Sequence, residues 1–361
     1  MTAARFSIAG ALAAAALALP VAGAAAPSPG LSRAARAVLK AGAPGVLVLT
    51  RRGGRTERSS FGVVDRKSRR PLRPDAPFRV GSVTKSFVAT VVLQLVGEGK
   101  LELDDPVERW LPHLVPQGRR ITVRELLAHR SGLYDYLADP RVLEPYLSNP
   151  DYVWTARRLV AIARGHRPLF PPGARYEYSN TNYVLLGLVV AKVSGRSLGA
   201  ELRRRIFEPL ALTATRYAPD AEVPATIAHG LFLGQKPPLD TTFYNASYAD
   251  AAGSIVSTTA DVATFYKALL GGRLLRSAQL KAMEAMRRIA QNGSAYGLGL
   301  LRVPTPCGDF FGHNGDVAGY STFALASRDG SHEAVVAATA DGWGQAGAEA
   351  FNALVAAAAC E

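Results

Sequence analysis

The sequence predicts an α/β (α+β) fold of two lobes. An antiparallel sheet flanked by helices is built from both ends of the chain, and an all-α lobe is inserted between them. Three observations predict it. Strand-like runs gather near both termini, in 45–64 and 298–339. The stretch between about 100 and 245 carries helical signals broken by Pro and Gly. The chain of 361 residues, even without its first two dozen, exceeds what one compact core usually holds. Strands at both ends with helices between them form a single sheet only if the termini meet.

Taken in order, residues 1–24 have the layout of a secretory signal: Arg5 supplies a positive start, Ile8 to Leu19 is apolar, and Ala22-Gly23-Ala24 offers small residues for cleavage. That apolar run is far shorter than the roughly 20 residues a bilayer-spanning helix needs. The expectation is a secreted or periplasmic protein without a membrane-spanning segment. Gly45 to Thr50 and Phe61 to Val64, separated by Gly53-Gly54, read as a hairpin ahead of an Arg/Pro-rich link from Arg69 to Pro77. A helix follows at Ser82. From Lys85 to Val96 its apolar residues recur nearly all round, the mark of a helix buried on most faces, and Gly97 and Gly99 end it. Helical segments are expected at Val123 to Ala128, Ala156 to Ala163, Asn180 to Ser194 and Leu198 to Phe207. Strands are expected at Leu298 to Val303, Tyr320 to Ala326 and Ala334 to Thr339, before a closing helix from Ala346 to Ala359. The division is therefore 25–99 with 246–361 for the sheet lobe and 100–245 for the helical lobe, with a site between them.

Hydrophobic content of 48% and charged content of 20% are those of an ordinary globular protein. The formal charge of +13 suggests attraction to polyanions. However, the basic residues are scattered and lack the aromatic interleaving of a nucleic-acid site, so nucleic acid is not expected as a partner. Cys307 and Cys360 are the only cysteines, and an even count in an exported chain favours one disulfide that tethers the C-terminal segment.

Three short motifs carry chemistry. Ser82-Val83-Thr84-Lys85 puts a hydroxyl and an amine three residues apart, on one helical face. An alcohol is a poor nucleophile until a base takes its proton, and burial of Lys85 would lower its pKa enough to serve. The start of a helix also turns free N–H groups toward an oxyanion. Tyr178-Ser179-Asn180 offers a phenol that, beside two cations, would lose its proton well below pH 10 and shuttle protons, while Asn180 would anchor a substrate amide. His313-Asn314-Gly315 combines a titratable positive charge with a glycine that lets a ligand lie along a strand edge. Each motif is weak alone, since a Ser often caps a helix and a lone His is usually structural.

Together, in this order and with the flanking text, they resemble the β-lactamase-like serine hydrolases. The flanks are Phe78-Arg-Val-Gly-Ser-Val-Thr-Lys-Ser-Phe, Glu98-Gly-Lys-Leu-Glu-Leu-Asp-Asp, Leu126-Leu-Ala-His-Arg-Ser-Gly-Leu and Tyr178-Ser-Asn-Thr-Asn-Tyr-Val-Leu-Leu-Gly. That family includes class C β-lactamases, secreted serine-type D-alanyl-D-alanine carboxypeptidases, D-aminopeptidases and some esterases. The resemblance implies the β-lactamase/transpeptidase-like fold, with Ser82 as nucleophile, Lys85 as its activator and Tyr178 as general acid/base. It further implies that Asn180, His313, Asn314, Gly315 and Asp316 bind substrate, and that the backbone N–H groups of Ser82 and Asp316 form the oxyanion hole. No metal or organic cofactor is implied. His313 stands where most relatives carry Lys, which points to the carboxypeptidase branch.

Two departures bear on the substrate. Asn314 replaces a usual Thr, and Asp316 replaces a usual small residue, where its carboxylate would repel a substrate carboxylate. Arg302 could offset this as a clamp, although a surface strand arginine is the plainer reading. The run from Thr122 to Leu127 and His129-Arg130-Ser131-Gly132 reads as structural. The expectation is an exported D-alanyl-D-alanine carboxypeptidase working on peptidoglycan stem peptides, inhibited covalently by β-lactams, monomeric and free of cofactors. Its rivals are an esterase or D-aminopeptidase, supported by Asp316; a class C-like β-lactamase; and a penicillin- or cell-wall-binding protein without turnover.

Overall fold

The computed structural model describes residues 27–361, and the expected leader, 1–24, lies outside the described residues. Helix α1 (Pro29–Lys40) opens the structure, with Pro29 in its first turn and the Ser28 hydroxyl accepting from Leu31 N at 3.1 Å. Its buried face is Leu31, Ala35 and Val38, a helical spacing that the sequence reading passed over. Strands β1 (Gly45–Arg52) and β2 (Arg55–Gly62) then pair antiparallel across Gly53-Gly54. Those two glycines have φ of 54° and 83°, the left-handed pair that a two-residue hairpin turn demands.

β1 shows how the sheet became a middle layer. Its Val46 and Val48 side chains join a core with α1, whereas Leu47 and Leu49 join the core on the opposite face. Strict alternation sends neighbouring residues to opposite faces, so a run of four apolar residues signals a sheet covered on both sides. Each such side chain contributes roughly 1.5–3 kcal/mol by leaving water.

Helix α2 (Thr84–Gly97) follows a 3-10 turn at Gly81–Val83 and is buried on nearly every face, as its sequence predicts. Helix α3 (Asn180–Ser194) is likewise buried from Asn180 to Gly187. Helix α4 (Thr259–Leu270) packs on the inner face of the sheet. Strands β3 (Arg287–Arg288), β4 (Ala295–Tyr296), β5 (Leu301–Thr305), β6 (Gly308–Val317), β7 (Tyr320–Ala326) and β8 (His332–Ala338) complete the large sheet. Its order is β2-β1-β8-β7-β6-β5-β4-β3, antiparallel throughout, so the N-terminal hairpin docks on the last strand. Helix α5 (Gln345–Cys360) lies against α1 on the outer face.

The middle of the chain carries the expected helices at Val123–Leu127, Ala156–Arg164 and Leu198–Leu202. It also holds three two-residue strands at Arg216–Tyr217, Leu231–Phe232 and Leu239–Asp240, which pair in small sheets with Ile255–Ser257 and Ala340–Asp341. Pieces this short leave no periodic signal, so only tertiary pairing creates them. Among the described residues no single helix is long and apolar enough to cross a membrane. Cys307 and Cys360 are bonded, joining the β5–β6 turn to the end of α5.

One detail of register builds the site. β5 pairs with β6 only as far as Gly312, which leaves the edge of His313–Val317 without a strand partner on that side. The turn carrying Ser82 lies against that edge.

Candidate active site

Ser82 sits at the junction of the 3-10 turn and α2. Lys85, one turn on, points back, with Nζ 2.9 Å from Ser82 Oγ. Nζ also donates to Asn180 Oδ1 and to the Ala252 carbonyl, both at 2.8 Å. Lys85 is fully buried, and burial pushes its pKa down to about 7, with the Asp135 carboxylate opposing that fall. The geometry suits the neutral amine. Its two N–H groups satisfy the two carbonyl oxygens and its lone pair is left for the Ser82 proton.

Tyr178 completes the group by donating its hydroxyl to Ser82 Oγ at 2.8 Å. One side of its ring lines the cleft, and protein surrounds the rest. The expectation that this phenol ionises well below pH 10 is overturned. Burial, with the Asp135 carboxylate adding, holds its pKa well above the ordinary value, against the hydrogen bond to Ser82. The expected cationic neighbour also fails. His313 is buried, and burial with the nearby Lys85 charge pushes its pKa down to about 3. Its Nδ1 faces the Asn314 carbonyl and must carry the proton, so Nε2 accepts from the Tyr296 hydroxyl at 2.9 Å. His313 therefore enters the site as a neutral imidazole.

The structure brings Ser82, Lys85, Tyr178, Asn180 and His313 together in one cleft, and adds three groups that the sequence reading passed over. Asp135 accepts from Asn180 Nδ2 at 2.9 Å and from Asn180 N at 3.2 Å. Asn180 thus holds Lys85 with its oxygen and Asp135 with its nitrogen, which leaves one amide hydrogen for a ligand. The only local trace of Asp135 is an N-cap, since it also accepts from Leu137 N at the start of a one-turn helix. Tyr296 fixes the His313 tautomer, and the Ala252 carbonyl receives Lys85. His129, read as structural, lies with its ring 4.3 Å from that of Tyr178. Its Nδ1 accepts from Ser179 N at 3.2 Å, which fixes the neutral tautomer and braces the Tyr178 loop.

On the opposite wall runs the β6 edge. A Cβ at Gly315 would stand 2.1 Å from the Val80 carbonyl oxygen and 2.9 Å from Ser82 N. One at Gly81, where φ is +55°, would stand 2.8 Å from Asp316 N. Only glycines allow this approach, and it brings the Ser82 and Asp316 amides onto facing backbone segments.

The Asp316 side chain is exposed on the cleft wall, where partial desolvation by the surrounding protein raises its pKa. Ser321 Oγ donates to it at 2.7 Å, and Trp343 Nε1 donates to Ser321 Oγ at 2.9 Å. Behind it, Asp341 is pushed up to about 8 by burial, with the Asp316 charge adding. Near neutrality Asp341 is therefore mostly protonated. Arg302 is no clamp: it pairs with Asp309 at 3.2 Å and donates to the Gly293 carbonyl at 2.9 Å. The cleft has a volume of about 860 Å³, within the range of small-molecule sites. Another hollow, of about 650 Å³ between Ser197 and Tyr217, is remote from these groups. Among the described residues no cluster of His, Cys, Asp and Glu is placed to hold a metal ion.

The family model described as Beta-lactamase matches residues 31–359. The chain belongs to the β-lactamase family. Its fold is that of a D-stereospecific amidohydrolase from a Streptomyces species, with 39% identity and a TM-score of 0.82, covering 89% of this chain and 97% of that one. A D-amino acid amidase from Ochrobactrum anthropi SV3 is 28% identical with a TM-score of 0.79, over 90% and 97% of the two chains. PbpX of Bacillus subtilis (strain 168), which carries a penicillin-binding designation, is 29% identical over 289 residues, 80% of this chain and 68% of its own length. As a β-lactamase-family serine hydrolase, the protein has relatives named as amidases, as an esterase and as penicillin-binding proteins.

Proposed function

We propose that the protein hydrolyses amides and esters through an acyl-enzyme on Ser82, and that its substrates bear no free carboxylate beside the scissile bond. In this reading the Ser82 oxygen adds to the carbonyl carbon as its proton passes to the neutral Lys85 amine. The oxyanion rests on the Ser82 and Asp316 amides. The leaving nitrogen or oxygen takes a proton from Lys85 by way of the Tyr178 hydroxyl as its bond to carbon breaks. Water then adds to the ester, and Ser82 regains its hydrogen.

One observation supports the substrate class. Among the side chains that line the cleft, Asp316 is the sole carboxylic acid, His313 is neutral and no lysine or arginine is present; Lys85 lies behind Ser82. A carboxylate ligand would meet repulsion with no cation to offset it, whereas an ammonium would be attracted. A D-aminopeptidase or D-amino acid amidase has such a substrate, and the likeness to the Streptomyces and Ochrobactrum enzymes supports that choice. The second reading is the D-alanyl-D-alanine carboxypeptidase, favoured by the likeness to PbpX. The Cys307–Cys360 bond supports a working place in an oxidising compartment, in keeping with export.

The test compares release of ammonia from D-amino acid amides, release of D-alanine from a D-alanyl-D-alanine peptide, and turnover of nitrocefin, each beside Ser82→Ala. Mass spectrometry after a penicillin reports the adduct. Amide turnover that exceeds D-alanine release and vanishes in Ser82→Ala is expected. D-alanine release as the faster reaction would install the second reading, and turnover that survives Ser82→Ala would end both.

A further inference from the structure

The cleft does not end at Asp316. Past Asn314 it continues across the outer face of the sheet, toward the far end of α5. Cross-strand pairing places Asn314 opposite Phe323 and Asp316 opposite Ser321, so these four side chains share that face. The apolar walls of this arm are Leu301 and Val303 from β5, Phe323 from β7, Val355 and Ala356 from α5, and Ile289 from the loop between β3 and β4, with Asn292, Thr305 and Asn352 as polar lining. Five of the six apolar residues are only half-buried, and no charged side chain enters the lining beyond Asp316 and the neutral His313. From Leu301 to Thr305 the arm follows the strand for about 13 Å at the usual rise per residue.

The disulfide closes its far end. Cys307 directly follows Pro306, which lines the arm, and Cys360 lies one helical turn beyond Ala356. The bond thus ties together the strand wall and the helix wall just past the point where the cavity stops. Half-buried apolar walls in water gain by taking up an apolar guest, and a fixed gap between them selects for size.

We propose that this arm is a subsite for an alkyl or aromatic group carried by the substrate, and that the Cys307–Cys360 bond sets its width. The proposal rests on the reading of Ser82 as nucleophile. The group can belong to the acyl part or to the leaving part of the substrate, and the experiment separates the two. One series of p-nitrophenyl esters lengthens the acyl chain from acetyl to octanoyl; a second keeps acetyl and lengthens the alcohol. In one of them kcat/KM is expected to rise about fourfold per methylene seated, the gain from burying one methylene. Val303→Asp and Ala356→Trp are expected to flatten that rise, the first by polarity and the second by filling. The Cys307→Ser/Cys360→Ser double variant is expected to weaken it. Circular dichroism verifies each fold, and Ala356→Trp serves where Val303→Asp does not fold. No rise in either series, or a rise untouched by Ala356→Trp, overturns the subsite while Ser82-dependent turnover of the acetyl esters leaves the acyl-enzyme reading standing. Turnover that survives Ser82→Ala overturns the acyl-enzyme reading itself.

Discussion

Asp135→Asn isolates the charge that opposes the effect of burial on the Lys85 proton. Lys85 Nζ lies 2.8 Å from Asn180 Oδ1, and Asn180 Nδ2 lies 2.9 Å from Asp135 Oδ2, so one amide separates ammonium from carboxylate. At about 7 Å and an effective dielectric of about 20, their attraction is about 2.4 kcal/mol. That corresponds to about 1.7 pKa units. The sign follows directly. Asp135 favours the ammonium, and burial is the larger opposing effect; together they leave Lys85 at about 7, and burial raises the pKa of Asp135 as well. Removing the carboxylate therefore favours the free amine at lower pH. The acid limb of kcat/KM, set by the fraction of neutral Lys85, is expected to move down by roughly 1–1.7 units. Asp135 also holds Asn180, so the plateau will fall as well; the position of the limb is the quantity to read. The assay is kcat/KM from pH 5 to 9 on an ester whose acylation limits the rate. A limb that stays in place or moves upward would refute the assignment of Lys85 as the base.

Tyr178→Phe deletes the hydroxyl that donates to Ser82 Oγ, and kcat/KM should fall by about 10²–10⁴ while the Lys85 limb stays where it is. Gly315→Ala sets a methyl 2.1 Å from the Val80 carbonyl oxygen, where only backbone can give way. Widening the gap between the Ser82 and Asp316 amides should lower kcat by about 10²-fold or more, measured on protein whose circular dichroism is native. Nuclear magnetic resonance of labelled His313 should show a neutral ring with its hydrogen on Nδ1 from pH 5 upward, because the buried ring titrates only at about 3. A transition between pH 5 and 8 would contradict this. Opening the Cys307–Cys360 bond, which spans 53 residues, should lower unfolding stability by about 2–4 kcal/mol in urea titrations.

Much of the scaffold was legible because its signals are local. The Gly53-Gly54 turn between apolar runs defined a hairpin, and the all-round apolar text of 85–96 defined a buried helix. Asn180–Ser194 and Tyr320–Ala326 fall within the expected bounds. β6 was harder. Its Gly308–Val317 text holds three Gly, an Asn and two Asp, poor strand formers whose partner strand supplies the order. α1 was missed although its Ser28 cap and its Leu31, Ala35 and Val38 stripe are local signals.

The sequence by itself determined the identity and order of the reactive groups and the short-range spacing that sets Ser82 against Lys85. It determined these because a helix turn is a local geometry. Only the tertiary structure decided their ionisation. Lys85 near 7, His313 near 3 and a phenol held neutral on Tyr178 all follow from burial and from charges brought by distant segments. Tertiary packing likewise selected Asp135 and Tyr296 as supports and left Asp316 as the acidic side chain in the cleft. Desolvation and Coulomb energies depend on what surrounds a group in space, and no spacing along the chain encodes that.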